Sequence, residues 1–331
     1  MPTPEPASRP TGEPLTLVRA TAADLPPAVA DALADPPEGR RITVEAAGIA
    51  FSALDWPAGA GTLAPAAGAT ATATAARAGT GAGAPLLLIH GVTSSARSWW
   101  RIGPALAAAG WHAVAPDLPG HGRTDAWRGR HRFAETAEEI AAFARAAGLT
   151  TAGDGALAVI GHSWGAMVAA NLPSVGLVPG RLVLLDPPVM TPAQFQAMAA
   201  DPVERRYDTL AEALAAIGAA YPAWHPGDIL AKAEGLSQVD EAAARAILTG
   251  NEWDAGLGAL AHPAAAGAPI RVVRGEPGQG GLLPDAWLPA VARRVGEHHL
   301  LTIAGAPHSP QRTHPEATVL ALLRALDARM P

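Results

Sequence analysis

The stretch that decides the fold is Ala156-Leu157-Ala158-Val159-Ile160-Gly161-His162-Ser163-Trp164-Gly165-Ala166-Met167-Val168. Its apolar run ending at Ile160 reads as a strand buried on both faces, and Ala166 to Leu172 reads as the helix that follows it. Between them stands the pattern G-x-S-x-G. So tight a strand-to-helix turn brings backbone against backbone, which leaves no room for side chains at Gly161 and Gly165. The turn lifts the Ser163 hydroxyl out of the sheet and sets it near a helix N-terminus, where peptide dipoles favour a developing negative charge. That makes Ser163 a candidate nucleophile; the plainer alternative is an ordinary serine N-cap.

Working outward, short apolar runs alternate with alanine-rich amphipathic segments from Pro85 onward, the pattern of parallel strands crossed by helices. Strands are expected at Leu86–Ile89, His112–Ala115, Ala156–Ile160, Leu182–Leu185, Ile270–Val273 and His299–Ile303. Helices are expected near Ala96–Ala109, Ala134–Ala147, Ala166–Leu172, Pro284–Val295 and Pro315–Ala328. The predicted fold class is α/β, a doubly wound and mostly parallel sheet with right-handed crossovers. Two further strands, Ile42–Glu45 and Ile49–Leu54, meet at Gly48 as a hairpin. Between Pro187 and about Ala268 the alternation gives way to consecutive helical pieces, Thr209–Ala219 and Asp240–Leu248 among them, which reads as an inserted helical cap.

The expected organisation is thus a weakly ordered, proline-punctuated arm over 1–40 and a first core segment over 41–186. A helical cap follows over 187–268 and a second core segment over 269–331. Within the first segment, 57–84 is an Ala/Gly/Thr/Pro tract with a single charge at Arg77, too small-sided to bury a core and read as a flexible insertion. Its Gly79-Thr80-Gly81-Ala82-Gly83 precedes a strand instead of following one, so no dinucleotide is expected there.

Composition narrows the chemistry. The 331 residues include no cysteine, which removes disulfides, thiolate nucleophiles and cysteine-ligated metals. Lys+Arg number 24 against Asp+Glu 30, a net charge of -6 with no basic run, which argues against nucleic acid or an anionic membrane as partner. No stretch reaches the roughly 18 apolar residues of a membrane helix and the N-terminus lacks an apolar leader core, so a cytoplasmic location is expected. No HExxH, EF-hand or Walker A pattern is present; neither a metal nor a cofactor is predicted.

Acyl transfer on a serine needs two preorganised N–H donors for the oxyanion. One belongs to the residue after the nucleophile, Trp164, and the other to the loop that ends Leu86-Leu87-Leu88-Ile89-His90-Gly91-Val92-Thr93, where Val92 is the candidate. Gly91 lets that loop approach a substrate closely, and His90 is expected to order the loop instead of moving protons. Asp117-Leu118-Pro119-Gly120-His121-Gly122 reads as a turn anchored by Asp117.

These blocks, together with Trp99-Trp100-Arg101 and Gly305-Ala306-Pro307-His308-Ser309, resemble the α/β-hydrolase superfamily over about Arg41 to the C-terminus, the 57–84 tract apart. The first block is similar to the epoxide hydrolase and haloalkane dehalogenase branch, where tryptophan often follows the nucleophile. That branch uses an aspartate nucleophile, whereas this chain has Ser163, so the resemblance implies acyl transfer instead of alkyl transfer. The general base falls to His308, after the last strand; His298 and His299 lie at the strand's other end, and His314 opens the final helix.

The acid is where the chain departs from the superfamily. Most relatives carry an aspartate three residues beyond the glycine that follows strand 7, and here Gly275-Glu276-Pro277-Gly278 puts Gly278 at that position. Two residues preserve the order serine, acid, histidine: Asp186, directly after Leu182–Leu185, and Glu276. Some superfamily members carry the acid after strand 6, which favours Asp186 and leaves Glu276 as the alternative. Trp99, Trp100 and Trp164 beside the oxyanion loop and elbow, and Trp224 and Trp253 in the cap, are the candidate substrate-binding side chains.

The expected function is a serine hydrolase that cleaves a small, largely apolar carboxylic ester. A lactonase or carbon–carbon bond hydrolase shares the same machinery, and a non-catalytic small-ligand-binding protein is the alternative outside catalysis. Nothing in the sequence specifies an oligomeric state.

Overall fold

The computed structural model describes residues 16–59, 83–125, 129, 131–151, 153, 156–251, 269–295 and 299–327. Nine strands among the described residues form one sheet: β1 (Thr16–Val18), β2 (Arg40–Ala46), β3 (Ile49–Trp56), β4 (Ala84–Ile89), β5 (Trp111–Pro116), β6 (Ala158–His162), β7 (Arg181–Leu185), β8 (Ile270–Arg274) and β9 (Leu300–Ile303). Their spatial order is β1-β9-β8-β7-β6-β4-β5-β3-β2. From β1 to β5 every pairing is parallel, while β3 runs antiparallel to both β5 and β2. The predicted α/β class and the hairpin at Gly48 are both present.

Why the central strands read as unbroken apolar runs is visible in what each face meets. Leu87, Ile89, Val159, Leu182, Leu184 and Val272 point to one side, against α3 (Phe133–Ala146), α4 (Trp164–Asn171) and α9 (Leu288–Val295). Leu86, Leu88, Ala158, Ile160, Val183, Leu185 and Val273 point to the other, against α1 (Pro27–Ala34), α2 (Ile102–Ala108) and α10 (Pro315–Leu326). Alternate residues therefore feed two separate cores, as the two-residue period of a strand requires. The segment expected as one helix over Ala96–Ala109 is a 3₁₀ turn, Ala96–Trp99, followed by α2.

The arm over 1–40 needs correction for the part that is described. Thr16–Val18 adds β1 to the sheet edge, in register with Leu301–Ile303, and α1 buries Val29, Ala32 and Leu33. Proline density misleads here because Pro27 occupies the first turn of α1, a position that needs no N–H donor and suits a fixed φ. Residues 1–15 and 60–82, the latter most of the expected insertion, lie outside the described residues.

Between β7 and β8 come α5 (Pro192–Ala199), α6 (Leu210–Ala220), α7 (Pro226–Gln238) and α8 (Glu241–Gly250). Phe195 from α5 and Ile247 and Leu248 from α8 join the main core. The α6/α7 pair instead has a small core of its own, Tyr207, Ala213, Ile217, Ala233 and Leu236. No helix among the described residues is long and apolar enough to cross a membrane.

Candidate active site

Three strand ends converge on Ser163. The residue follows β6 directly, with φ 56° and ψ -123°, a conformation outside the ordinary allowed regions. The flanking glycines are obligatory for the reason the sequence suggests: a Cβ on Gly161 would stand 2.2 Å from the Gly165 carbonyl oxygen, and one on Gly165 would stand 2.4 Å from the Ile89 carbonyl oxygen. Ser163 N–H donates to the Leu185 carbonyl at 3.0 Å, which fixes the elbow to the neighbouring strand end.

His308, in the loop after β9, accepts the Ser163 hydroxyl proton bond at Nε2 over 2.8 Å. Its Nδ1 donates to Asp186 Oδ2 at 2.6 Å. Asp186 follows β7, is fully buried and has φ 42°. Two backbone donors hold its carboxylate, Gly275 N to Oδ1 at 3.0 Å and Leu282 N to Oδ2 at 2.9 Å. With both oxygens engaged as acceptors, the proton between Asp186 and His308 resides on the imidazole, so Nε2 is the free base facing Ser163. The alternative acid Glu276 is turned elsewhere: its Oε2 accepts from Gly305 N at 2.7 Å, and it braces the loop that carries His308.

The oxyanion candidates are the backbone N–H groups of Trp164 and Val92. Trp164 is the first residue of α4, so its N–H is one of those that a helix leaves without an internal partner. Val92 lines the cavity beside Ser163. Three histidines hold this loop region together. His90 Nε2 accepts from Leu118 N at 2.9 Å, so Nδ1 bears the proton and donates to the Gly91 carbonyl at 2.8 Å; burial pulls its pKa down to about 4. His121, fully buried against the rings of His90 and Trp164, is pulled down to about 3, by burial first and His90 second. His162 donates from Nε2 to the His308 carbonyl at 2.9 Å, and burial foremost, then His308, holds it well below the ordinary imidazole range. Asp117 anchors its turn, accepting from Ala96 N at 2.7 Å and Arg123 N at 3.1 Å.

Over Ser163 lies a cavity of about 370 Å³, lined by residues of the strand ends and of the helical insertion. The tryptophans sort differently from expectation. Trp224 does line the cavity, with its indole stacked on Tyr221 at 4.1 Å. Trp99 and the Trp164 side chain do not: both are fully buried in the cores, where wide aromatic surfaces gain most from leaving water. Trp100 is a tether instead of a wall, because its Nε1 donates to Asp228 of α7 at 2.9 Å. Trp253 lies outside the described residues.

Sequence reasoning missed a polar cluster on the cavity's far wall. Lys232 of α7 is buried, donates to the Thr93 carbonyl at 3.1 Å and its Oγ1 at 3.0 Å, and pairs with Glu204. Thr93 Oγ1 in turn donates to Glu204 Oε2 at 2.8 Å. The cluster ties the loop of Val92 to the insertion. Arg312, on the helical turn Pro310–Thr313, reaches the same wall. No pattern in the sequence marks the cluster, since Lys232 is simply the lone basic residue of α7.

A family model described as alpha/beta hydrolase fold matches residues 84–222, which carry β4, the oxyanion loop, the elbow and Asp186. Lipase LipV of Mycobacterium tuberculosis is 38% identical over 109 residues, 32% of this chain and 38% of the lipase. Epoxide hydrolase B of the same organism is 36% identical over 86 residues, 25% of this chain and 23% of that protein. The alignments thus span well under half of either relative. Among solved structures, N-formylmaleamic acid deformylase from Pseudomonas putida S16 superposes with a TM-score of 0.62 at 21% identity, covering 86% of this chain and 100% of that one, which speaks to fold alone. Sequence likeness in the segment that holds the elbow and fold likeness over most of the length agree, and the chain has the α/β-hydrolase fold.

Proposed function

We propose that the protein is a serine hydrolase that cleaves a small carboxylic ester through an acyl-enzyme on Ser163. The observation that carries the reading is the continuous relay Ser163–His308–Asp186, with links of 2.8 and 2.6 Å, mounted on a strained elbow beneath a cavity. In the proposed course Ser163 Oγ attacks the ester carbonyl carbon while its proton passes to His308 Nε2. The carbonyl oxygen becomes an oxyanion facing the N–H groups of Val92 and Trp164. As the tetrahedral intermediate collapses, the carbon–oxygen bond to the alcohol breaks and the His308 proton leaves on that alcohol. A water then gives its proton to His308 and attacks the acyl carbon; collapse returns the proton to Ser163 and frees the acid. Asp186 keeps the imidazole tautomer and balances the transient imidazolium.

Val92, Met198, Tyr221, Trp224 and Leu248 offer apolar walls for the body of the ester. A lipase among the relatives is compatible with ester chemistry. The binding-protein alternative drew its force from the absent aspartate after β8, and the bond between Asp186 and His308 takes that force away.

The test is intact-mass spectrometry after exposure to a small fluorophosphonate. One adduct on the wild type and none on Ser163→Ala is the expected result. A folded wild type without an adduct would overturn the reading.

A further inference from the structure

Three lysine or arginine side chains are buried among the described residues: Lys232 at 3% exposure, Arg274 at 4% and Arg312 at 8%. The first two have partners. Lys232 bonds Thr93 and Glu204, while Arg274 bonds Thr302, the Leu283 carbonyl and Asp285. The Arg312 side chain has neither an ion pair nor a hydrogen bond among the described residues, and its Nε is enclosed with no acceptor. Its guanidinium carbon sits 4.8 Å from the centre of the Trp224 ring, on the wall of the cavity that also holds Ser163 and His308. A guanidinium stays charged in a protein, and a buried charge without a partner is expensive. Such a group implies an anion that the free protein lacks.

Every carboxylate near Arg312 is already engaged. Glu204 is taken by Lys232 and Thr93, Asp228 by Trp100 and Arg101, and Asp201, also on the cavity wall, accepts from Val203 N at 2.8 Å. Glu204 and Asp228 are close enough to favour the charged guanidinium against the burial that opposes it. The same acidic groups limit the anion. One charge balances Arg312, whereas a dianion would face Glu204 and Asp201 with excess negative charge.

We propose that the cavity binds an ester bearing one carboxylate remote from the scissile carbonyl, and that Arg312 is its receptor. The planar fork of the guanidinium matches a carboxylate edge to edge, and Trp224 seats the group against an aromatic face. Arg312 lies four residues after His308, on the helical turn that begins at Pro310, so the base and the anion receptor sit on one short segment. This assignment rests on the hydrolase reading above and sharpens it: the largely apolar ester expected from the sequence gains a single acidic end.

Binding to Ser163→Ala separates this proposal from the hydrolase reading, because it needs no turnover. Calorimetry would compare monomethyl succinate, glutarate and adipate with the corresponding dimethyl esters. The expected result is that one half-ester binds about 10- to 100-fold more tightly than its diester, the preference a charge-assisted pair supplies. Adding Arg312→Gln should erase that preference and adding Arg312→Lys should keep part of it, with the circular dichroism of the variants unchanged. Should Arg312→Gln fail to fold, the half-ester comparison and Arg312→Lys still decide. Equal binding of every half-ester and diester, a preference that survives Arg312→Gln, or inorganic phosphate binding as tightly as the best half-ester would each overturn the assignment. A half-ester preference without a fluorophosphonate adduct on the wild type would sink the hydrolase reading and leave the anion site standing. The converse pair of results would do the reverse.

Discussion

The strand ends below the cavity and the helices above it are built in opposite ways. Below, the groups proposed to react are fixed by backbone: Ser163 and Asp186 both have positive φ, and Asp186 receives two main-chain N–H bonds besides His308. Above, the wall is made of long side chains: Lys232 on α7, Glu204 from the segment before α6 and Trp224 from the connection between α6 and α7, a region with its own small core. The difference teaches where each kind of change is tolerated. A preorganised electrostatic site gains because its dipoles need not reorient during reaction, which demands rigidity. Recognition of a substrate body needs only complementary surface, and side chains can exchange without disturbing the strands.

The largest expected effect breaks the comparison at its rigid side. Ser163→Ala should lower turnover by on the order of 10⁶, the scale of removing a serine nucleophile from a comparable relay, while the urea midpoint stays put. Trp224→Ala, on the opposite wall, should raise KM and leave kcat within about tenfold. A Trp224 variant that loses kcat as Ser163→Ala does would mean that the two walls are not distinct in role.

Next comes the choice between the acids. In Asp186→Asn the oxygen that accepts from Gly275 N can remain, but the group facing His308 Nδ1 becomes a donor and forces the wrong imidazole tautomer. Turnover should fall by about 10⁴. Glu276→Gln removes only the charge that braces Gly305 N, and less than a tenfold loss is expected from that partly exposed bond. Steady-state kinetics on both variants checks this, and comparable losses would remove Asp186 from its proposed role.

How much of this was legible follows the same division. Gly161, Gly165, Ser163 and the strand before them could be read because a steric rule ties residue type to backbone path at fixed spacing. Asp186 was readable as one of two acids, since chain order allowed both and only the fold decides which carboxylate meets His308. Lys232, Glu204 and Arg312 were invisible: Lys232 and Glu204 stand 28 residues apart and Lys232 and Thr93 stand 139 apart, separations that no local pattern encodes. Tryptophans misled for a related reason. Trp99 and Trp100 are adjacent in sequence, yet one is core and the other a tether to α7, because burial depends on what packs above them.

Lys232 offers a smaller test that joins the two regions. Lys232→Met removes the donor to Thr93 and leaves Glu204 without its cation, so stability should fall by about 2–3 kcal/mol, less than for a fully enclosed pair because Glu204 remains half-buried. Lys232→Met with Glu204→Leu should recover most of that loss in urea unfolding, since no charge is then stranded. If the double variant were instead as unstable as the single one, the anchoring of Thr93 and not the stranded carboxylate would be the source of the cost.

The last effect distinguishes the regions by acid sensitivity. His90, His121 and His162 all belong to the strand-end side, and all three are held neutral below the ordinary imidazole value of 6.5. Below pH 6.5 the unfolded chain takes up protons at these positions that the folded chain refuses, so stability declines as pH falls and levels off only beneath the folded values, about 4 for His90 and about 3 for His121. Each histidine contributes up to about 1.4 kcal/mol per pH unit in that window. Urea unfolding at pH 7, 6 and 5 should therefore show progressive loss, and His121→Gln should make the slope shallower by the share of one proton. Among the described residues no buried histidine lies on the insertion, so the α6/α7 pair lacks this source of acid lability. Hydrogen exchange at pH 7 and 5 reads the two regions separately, and faster opening confined to the insertion, with the strand ends unchanged, would contradict this account of where the acid lability resides.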